Sequence, residues 1–267
     1  MDRRALTFAF SSCPNDTFAF HALVHGLVGG PPVEPHIDDV EALNERAERG
    51  DADVTKISIA AYGRIRDRYA LLRAGGAAGY GVGPIVVARS PRPVGGRIAI
   101  PGERTTAALL LRLLGRFETV AIRFDRIEDA VLRGEVDCGV LIHEGRFTYA
   151  GKGLTRLVDL GAVWEERMRS PLPLAAIAIR RDLAGRWAAE VDRALHDSVA
   201  YAFAHPEASR SYVAQHAQEM DPAVCEQHIR LYVNEYSLAL DERAVETLLS
   251  WGERQGIFPA AGEPVFV

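Results

Sequence analysis

Short apolar runs alternate along the chain with stretches in which apolar residues recur every three to four positions. Runs of this kind are typical of buried strands, and the three-to-four spacing is typical of helices that bury one face. The alternation begins at residue 6 and starts again at residue 97, which predicts strand–helix–strand units with parallel strands and right-handed crossovers. The pattern therefore predicts an α/β fold.

The pattern changes after an apolar strand predicted at residues 174–179. The spacing is helical beyond this strand and predicts helices over residues 182–204, 206–218, 222–232 and 241–255. We expect two lobes, with residues 1–88 plus 175–267 forming a large discontinuous lobe and residues 89–174 forming a small inserted one. Because two chain crossings make a natural hinge, the cleft between the lobes is the expected ligand site.

One predicted strand ends in a group that can do acid–base chemistry. Residues 136–142 form an apolar run that is followed at once by His143 and Glu144. The carboxyl end of a strand faces the ligand crevice in open α/β sheets, and histidine changes charge near neutral pH, so His143 is a candidate general base. The alternative is that His143 only caps the strand by bonding a carbonyl. Glu144 is a rival base, but strand alternation would turn it away from His143, which favours a surface or orienting role.

Polar groups also follow other predicted strands. Lys56 and Ser58 close the strand at residues 54–57, and Thr105 and Thr106 precede a helix. Hydroxyls and free N–H groups at helix starts supply the hydrogen bonds that hold a carboxylate or phosphate, although each hydroxyl alone also fits a simple helix cap. Arg146 either offsets charge on a ligand or forms a solvent-facing ion pair.

Three further features are assigned lesser roles. Asn15 and Asp16 either cap the first helix or line the cleft together with Asn44. Cys13 lies beside them, and we expect a packed thiol because no feature marks it as a nucleophile. The glycine-rich residues 75–83 lack a GK[ST] signature, so we expect flexible backbone there and no phosphate loop.

Composition and charge exclude several classes of protein. The 267 residues are 48% hydrophobic and 25% charged, which is ordinary for a soluble globular protein. A net charge of −5 without a basic run argues against nucleic acid or a membrane as partner. The sequence contains no apolar run as long as the ~18 residues of a membrane span and no convincing secretion signal. The three cysteines form no CxxC, which fits a reducing cytoplasm and neither a disulfide framework nor a zinc site.

Several short segments, spread over nearly the whole chain, form a specific pattern in combination. They are residues 12–18 (SCPNDTF), 22–26 (ALVHG), 39–44 (DVEALN), 55–58 (TKIS), 142–149 (IHEGRFTY), 232–234 (YVN) and 264–267 (PVFV). In this order they resemble the 1,4-dihydroxy-6-naphthoate synthase family. Ser12 stands where the family commonly has proline, a departure that removes no reactive group.

The resemblance implies a fold, a reaction and a set of site residues. The fold is the two-lobed type II periplasmic-binding-protein fold with a ligand cleft between the lobes. The implied enzyme is a cytoplasmic lyase of the futalosine route to menaquinone, which converts cyclic dehypoxanthinyl futalosine to 1,4-dihydroxy-6-naphthoate without a metal or organic cofactor. The implied partner is this small anionic aromatic substrate. The general base falls on His143, and the substrate-contacting residues fall on Lys56, Ile57, Ser58, Thr106 and Ala107.

Three other functions share this architecture. Chorismate dehydratase of the same pathway is the nearest rival, but the segments at residues 12–18 and 142–149 favour the naphthoate synthase. A solute-binding protein of a transporter would need a signal peptide or a lipid-anchor cysteine. A LysR-type effector domain would need a DNA-binding helix-turn-helix, and none precedes residue 6. The sequence leaves the oligomeric state open between a monomer and a homodimer.

Overall fold

The computed structural model describes residues 4–218, 221–260 and 262–267 and contains two β-sheets, whose strands we number along the chain. Residues 1–3, 219–220 and 261 of the expected large lobe lie outside the described residues. The first sheet has the order β2-β1-β3-β11-β4, with β5 paired to β11. Its strands are β1 (Leu6–Ser11), β2 (Val33–Asp38), β3 (Val54–Ser58), β4 (Tyr69–Leu71), β5 (Ala77–Gly79) and β11 (Leu172–Arg180).

The second sheet has the order β10-β6-β9-β7-β8. Its strands are β6 (Ile85–Ala88), β7 (Arg97–Ile100), β8 (Glu118–Ala121), β9 (Cys138–Leu141) and β10 (Thr155–Asp159). The α-helices of the described residues are α1 (Pro14–Val24), α2 (Val40–Arg49), α3 (Ile59–Tyr62), α4 (Thr106–Leu111), α5 (Ile127–Leu132), α6 (Gly145–Thr148), α7 (Leu160–Met168), α8 (Arg181–Ala204), α9 (Arg210–His216), α10 (Pro222–Tyr232), α11 (Glu235–Leu238) and α12 (Glu242–Arg254). We call the parts built on the two sheets the first lobe and the second lobe.

The strand directions correct the expectation of parallel sheets. In the first sheet β1 is parallel to β2 and β3, but β11 is antiparallel to β3, β4 and β5. In the second sheet β7 is parallel to β8 and β9, but β6 is antiparallel to β9 and β10. Because β6 and β11 enter their sheets from the other lobe, no crossover helix within the same sheet forces them to be parallel.

The chain crosses between the sheets twice. The first crossing joins β5 to β6 through residues 80–84, and the second joins β10 to β11 through residues 160–171, which include α7. The lobe boundary expected after residue 88 would place β6 in the first lobe. In the structure β6 pairs with β9 and β10 of the second sheet. Pairing therefore places the crossing before β6, because the apolar run that predicted a strand there does not indicate which sheet the strand joins.

The core of the first lobe follows from alternation along β1. Phe8 and Phe10 on one face pack with Phe20 of α1, at ring-centroid distances of 5.2 and 5.5 Å. Ala9, on the opposite face, packs against Leu43 of α2. Full burial of a large apolar side chain contributes about 1.5–3 kcal/mol. This packing fixes both helices that bring polar residues to the end of β1.

Local chemistry sets the helix boundaries where it is strong. The Asp39 side chain accepts hydrogen bonds from the N–H groups of Glu41 and Ala42 at 2.9 and 3.2 Å, and Gly50 ends α2 in the left-handed region with φ +78°. The helix expected at residues 222–232 matches α10, whose first residue is Pro222. The helix expected at residues 206–218 is instead a 3₁₀ turn followed by α9.

Other elements lacked a clear pattern. The glycine-rich stretch expected to be flexible contains β5, which is buried and paired with β11. Short elements such as α6, α7, β10 and α11 have too few residues for a period to be recognised.

Candidate active site

A cavity with about 660 Å³ of empty space lies between the two lobes. The first lobe contributes polar residues from the ends of β1 and β3 and from α10, and the second lobe contributes the start of α4 and the residues after β9. The polar lining consists of Ser11, Asn15, Asp16, Lys56, Ser58, Thr105, Thr106, His143, His228 and Tyr232. Parallel strands end at the same edge of each sheet, which is why segments far apart in sequence meet here.

His143 lies just beyond β9 and is partly buried in the cavity wall. Its backbone is left-handed, with φ +53°, a conformation that is uncommon for a residue other than glycine. Its ring lies 5.1 Å from Phe124 and is parallel to that of His228, with centroids 5.8 Å apart. Burial lowers the pKa of His143 to about 4. The imidazole is therefore neutral at pH 7, the state that a general base requires.

Lys56 lines the cavity, but its ammonium group is bonded within the first lobe. Its Nζ lies 2.8 Å from Asp16 Oδ1 and 3.0 Å from the Gly75 carbonyl oxygen, and this ion pair is almost completely buried. Asp16 also accepts hydrogen bonds from Ser11 Oγ at 2.7 Å and Asn15 Nδ2 at 2.9 Å. Because Asp16 neutralises the charge of Lys56, a ligand in the cavity would contact a neutral ion pair and not a free ammonium group.

Ser58 and Asn44 form a closed pair of hydrogen bonds. The Ser58 N–H donates to Asn44 Oδ1 at 2.9 Å, and Asn44 Nδ2 donates to Ser58 Oγ at 3.1 Å. Because Ser58 Oγ accepts from Asn44, its own proton is directed to another acceptor, and the residue lines the cavity. Ile57 points to the opposite face of β3 and is buried in the hydrophobic core, so its side chain does not line the cavity.

The start of α4 brings Thr106 and Ala107 to the cavity from the second lobe. Thr106 Oγ1 donates to the Leu174 carbonyl oxygen at 2.7 Å and accepts from the Ala60 N–H at 3.3 Å, both in the first lobe. The Ala107 N–H belongs to the first helical turn, where a backbone donor has no partner within the helix. Thr106 thus joins the lobes in this structure, and Ala107 offers a donor.

His228 is a site residue that sequence reasoning missed. It lies on α10, is fully buried, and its Nε2 is 2.8 Å from Asn15 Oδ1. Burial and the neighbouring His143 lower its pKa well below the usual value. A single histidine within an otherwise ordinary amphipathic helix gives no local signal, because its partners are distant in sequence.

The two residues considered beside His143 also have defined positions. Glu144 is buried, with Oε1 3.8 Å from His228 Nδ1, so a surface position for it was wrong. Arg146 donates to Asp159 Oδ2 at 2.7 Å and to the Gly83 carbonyl oxygen, in a pair that is mostly buried. Arg146 therefore joins the first chain crossing to the end of β10 and does not line the cavity.

A family comparison agrees with this geometry. The model of a protein family described as menaquinone biosynthesis matches residues 6–254. The chain belongs to this menaquinone biosynthesis family. A Thermus thermophilus member named 1,4-dihydroxy-6-naphthoate synthase is 50% identical over 270 residues, covering 98% of this chain and 99% of the relative. A Streptomyces coelicolor protein of the same name is 45% identical over 275 residues, covering 98% of both chains. The resemblance found in the sequence is confirmed.

Solved structures confirm the expected fold for this family member. The crystal structure of protein AF1704 from Archaeoglobus fulgidus superposes with a TM-score of 0.91 at 40% identity and covers 95% of this chain and 98% of that one. The periplasmic aliphatic sulphonate-binding protein SsuA from Escherichia coli superposes with a TM-score of 0.69 at 11% identity, covering 100% and 94%. The second likeness shows the fold alone, which is that of a two-lobed periplasmic binding protein.

None of the helices in residues 4–218, 221–260 and 262–267 is long and apolar enough to cross a membrane. Within the same part of the chain, no group of three or more His, Cys, Asp or Glu side chains is arranged to hold a metal ion.

Proposed function

We propose that this protein is a 1,4-dihydroxy-6-naphthoate synthase, a carbon–carbon lyase that acts on cyclic dehypoxanthinyl futalosine. Membership of the menaquinone biosynthesis family and the names of its relatives support the pathway and the product. The observation that carries the proposal is a neutral imidazole on one lobe, His143, in the same cavity as the hydroxyl of Ser58 on the other. This arrangement puts a base on one side of the cavity and a hydroxyl that can bind an anion on the other.

The aromatic carboxylate of the substrate is held by donors from both lobes. The Ser58 hydroxyl and the Ala107 N–H are the donors that the surrounding hydrogen bonds leave available. Thr106 contributes when its hydroxyl turns from the Leu174 carbonyl to the ligand. Hydrogen bonds to a charged group contribute about 1.5–3 kcal/mol each.

His143 then removes a proton from the sugar-derived part of the substrate. Cleavage of a carbon–carbon bond releases a three-carbon fragment, and aromatisation of the new ring provides the driving force. A positioned general base contributes about 10²–10⁴-fold to a rate. The remaining acceleration comes from holding the substrate between the lobes and excluding water.

The proposal extends to cofactors and partners. The reaction needs neither a metal nor an organic cofactor, so treatment with a chelator should leave turnover unchanged. The partner is a small anionic aromatic molecule, with no role for nucleic acid or a membrane, and the enzyme works in the cytoplasm as a monomer or homodimer. Light scattering of the purified protein distinguishes these two oligomeric states.

The test is His143→Ala, assayed on the cyclic substrate with binding measured in parallel. We expect turnover to fall by about 10²–10⁴-fold while substrate still binds, because the anion-holding groups remain. His36→Ala is the control, since His36 lies on β2 and does not line the cavity. Near-normal turnover by His143→Ala would rule out the base assignment. Turnover of chorismate by the wild-type protein would instead favour a chorismate dehydratase. Binding of the cyclic substrate without turnover would favour a solute-binding protein.

A further inference from the structure

The segment YVN at residues 232–234 belongs to the sequence pattern of this chain, and the proposed function leaves its first residue without a role. Val233 is buried in the core of the first lobe. Asn234 caps α11 by accepting from the Tyr236 N–H at 2.9 Å, and its amide donates to the Ala78 carbonyl oxygen at 3.0 Å. The fold therefore explains these two residues. Tyr232, the last residue of α10, instead lines the cavity between the lobes.

The Tyr232 side chain is buried, but its hydroxyl has no protein partner. Only 7% of the residue is exposed. In the described part of the chain the hydroxyl makes no hydrogen bond, and it is not among the unpaired polar atoms that are sealed from solvent. The phenol oxygen therefore meets open space, which beside this residue is the cavity. Tyr62 and Tyr69 are buried as well, but their hydroxyls donate to the carbonyl oxygens of Val265 and Ala52.

The surroundings of the Tyr232 hydroxyl keep it able to donate. Burial raises the pKa of Tyr232 well above its usual value, and the nearby Arg146 offsets only part of this effect. The Arg146 guanidinium is itself bonded to Asp159 and to the Gly83 carbonyl oxygen. The phenol is therefore protonated at neutral pH and has one hydrogen to donate. Because buried polar groups are normally hydrogen-bonded, an acceptor is expected in the cavity, and a bound ligand would supply it.

Tyr232 belongs to the part of the cavity wall that lies beside the base. Its ring centroid is 4.7 Å from that of His228, whose ring is parallel to that of His143 with centroids 5.8 Å apart. The donors assigned to the carboxylate, Ser58 and the start of α4, belong to other elements of the lining. A ligand that offers its carboxylate to those donors and a proton to His143 therefore has its reacting end on the side of Tyr232.

We propose that Tyr232 is a substrate-contacting residue, whose hydroxyl donates a hydrogen bond to an oxygen of the sugar-derived part of the ligand. The inference rests on the proposed function, in which His143 acts on that part. The bond fixes the reacting end while the carboxylate donors fix the other end, so the two contacts together orient the ligand. It also favours a ligand with an oxygen-bearing group beyond the aromatic ring over a simple aromatic carboxylate.

Tyr232→Phe tests the contact, because it removes only the phenol oxygen. Loss of one neutral hydrogen bond should lower kcat/KM for the cyclic substrate by about 3–10-fold. The Kd of this substrate should rise by a similar factor when Tyr232→Phe is added to His143→Ala, in which turnover is suppressed. Titration calorimetry measures this Kd. The Kd of 2-naphthoate, which has the carboxylate but no sugar-derived part, should stay within about twofold.

Tyr69→Phe is the matched control, since it removes a buried phenol oxygen that lies outside the cavity lining and is bonded within the protein. It should lower the urea midpoint and leave both Kd values unchanged. Tyr232→Phe should show the reverse, because it breaks no bond within the protein. An unchanged Kd and kcat/KM for the cyclic substrate in Tyr232→Phe, or an equal rise in the Kd of 2-naphthoate, would overturn the proposal. Failure of the wild type to bind the cyclic substrate would refute the proposed function itself, so the two failures are distinguishable.

Discussion

Asp16 is the residue on which the buried polar groups of the first lobe converge. Its carboxylate accepts from Lys56, Asn15 and both the N–H and the hydroxyl of Ser11. Through Asn15 the same network reaches His228. Since the Asn15 amide donates to Asp16, its oxygen faces His228 Nε2, which must therefore carry a hydrogen. The ion pair of Asp16 and Lys56 thus orients Asn15 and, through it, His228 in the cavity wall that faces His143.

The ion pair of Asp16 and Lys56 makes a stability prediction. Lys56→Met should lower the free energy of unfolding by about 3–5 kcal/mol, because it leaves a buried carboxylate without its counter-charge. Urea unfolding measures the change. The double variant Asp16→Asn with Lys56→Met should recover most of the loss, since no buried charge remains unpaired. Arg133→Met is the surface control, where exposed pairs with Asp129 and Glu135 contribute about 0–1 kcal/mol. A double variant as unstable as the single one would contradict this account.

At the residue scale, the sequence indicates the position of a group that follows a strand or starts a helix, while its role stays a prediction. His143, Ser58 and Thr106 line the cavity as expected, because the end of a strand is visible in the pattern of apolar residues. The neutralised ammonium of Lys56 and the presence of His228 could not be predicted. Both depend on partners distant in the chain, and no local pattern encodes such a contact.

The elements show the same division between local and distant causes. Caps such as Asp39 and Gly50 act within a few residues, so the bounds of α2 follow from its local sequence. The glycine-rich stretch was misinterpreted because its glycines serve packing as well as turns. A Cβ at Gly75 would lie 2.7 Å from Ile177, so the backbone of this stretch approaches β11 closely. A glycine needed for close approach has the same appearance in sequence as one needed for flexibility.

A close backbone contact between the two chain crossings leads to a prediction about stability. Gly83 and Gly161 touch, and a Cβ at Gly83 would lie 2.2 Å from the Gly161 Cα. Gly83→Ala should therefore destabilise the protein by about 3 kcal/mol, because backbone on both sides must shift. Thermal and urea unfolding measure the loss. Gly95→Ala is the control, since a Cβ there has no described atom within 4 Å. Equal stability of the two variants would show that the crossings do not pack as described.

At the scale of the whole molecule, an arginine connects the lobes beside the cavity. Arg104 of the second lobe pairs with Glu41, Glu45 and Glu48 of α2, at 3.1, 3.2 and 2.7 Å. The glutamates are spaced so that they lie along one side of the helix. Gly102 allows the approach, because a Cβ there would lie 2.4 Å from the Glu41 carboxyl carbon. These pairs stabilise the arrangement in which donors of both lobes face the same cavity.

Loss of this connection should weaken ligand binding more than chemistry. Arg104→Ala removes three partly exposed pairs, each of which contributes about 0.2–1 kcal/mol, so KM should rise by about 3–10-fold while kcat stays within about twofold. Raising the salt concentration should increase the KM of the wild type towards that of the variant and affect the variant less, because ions screen charges that solvent can reach. Arg116→Ala, at an exposed position of the same lobe, is the control for lost charge alone. An unchanged KM in Arg104→Ala, or an equal rise in Arg116→Ala, would mean that Arg104 does not hold the lobes together around the substrate. A fall in kcat without a rise in KM would instead place its effect on the orientation of His143.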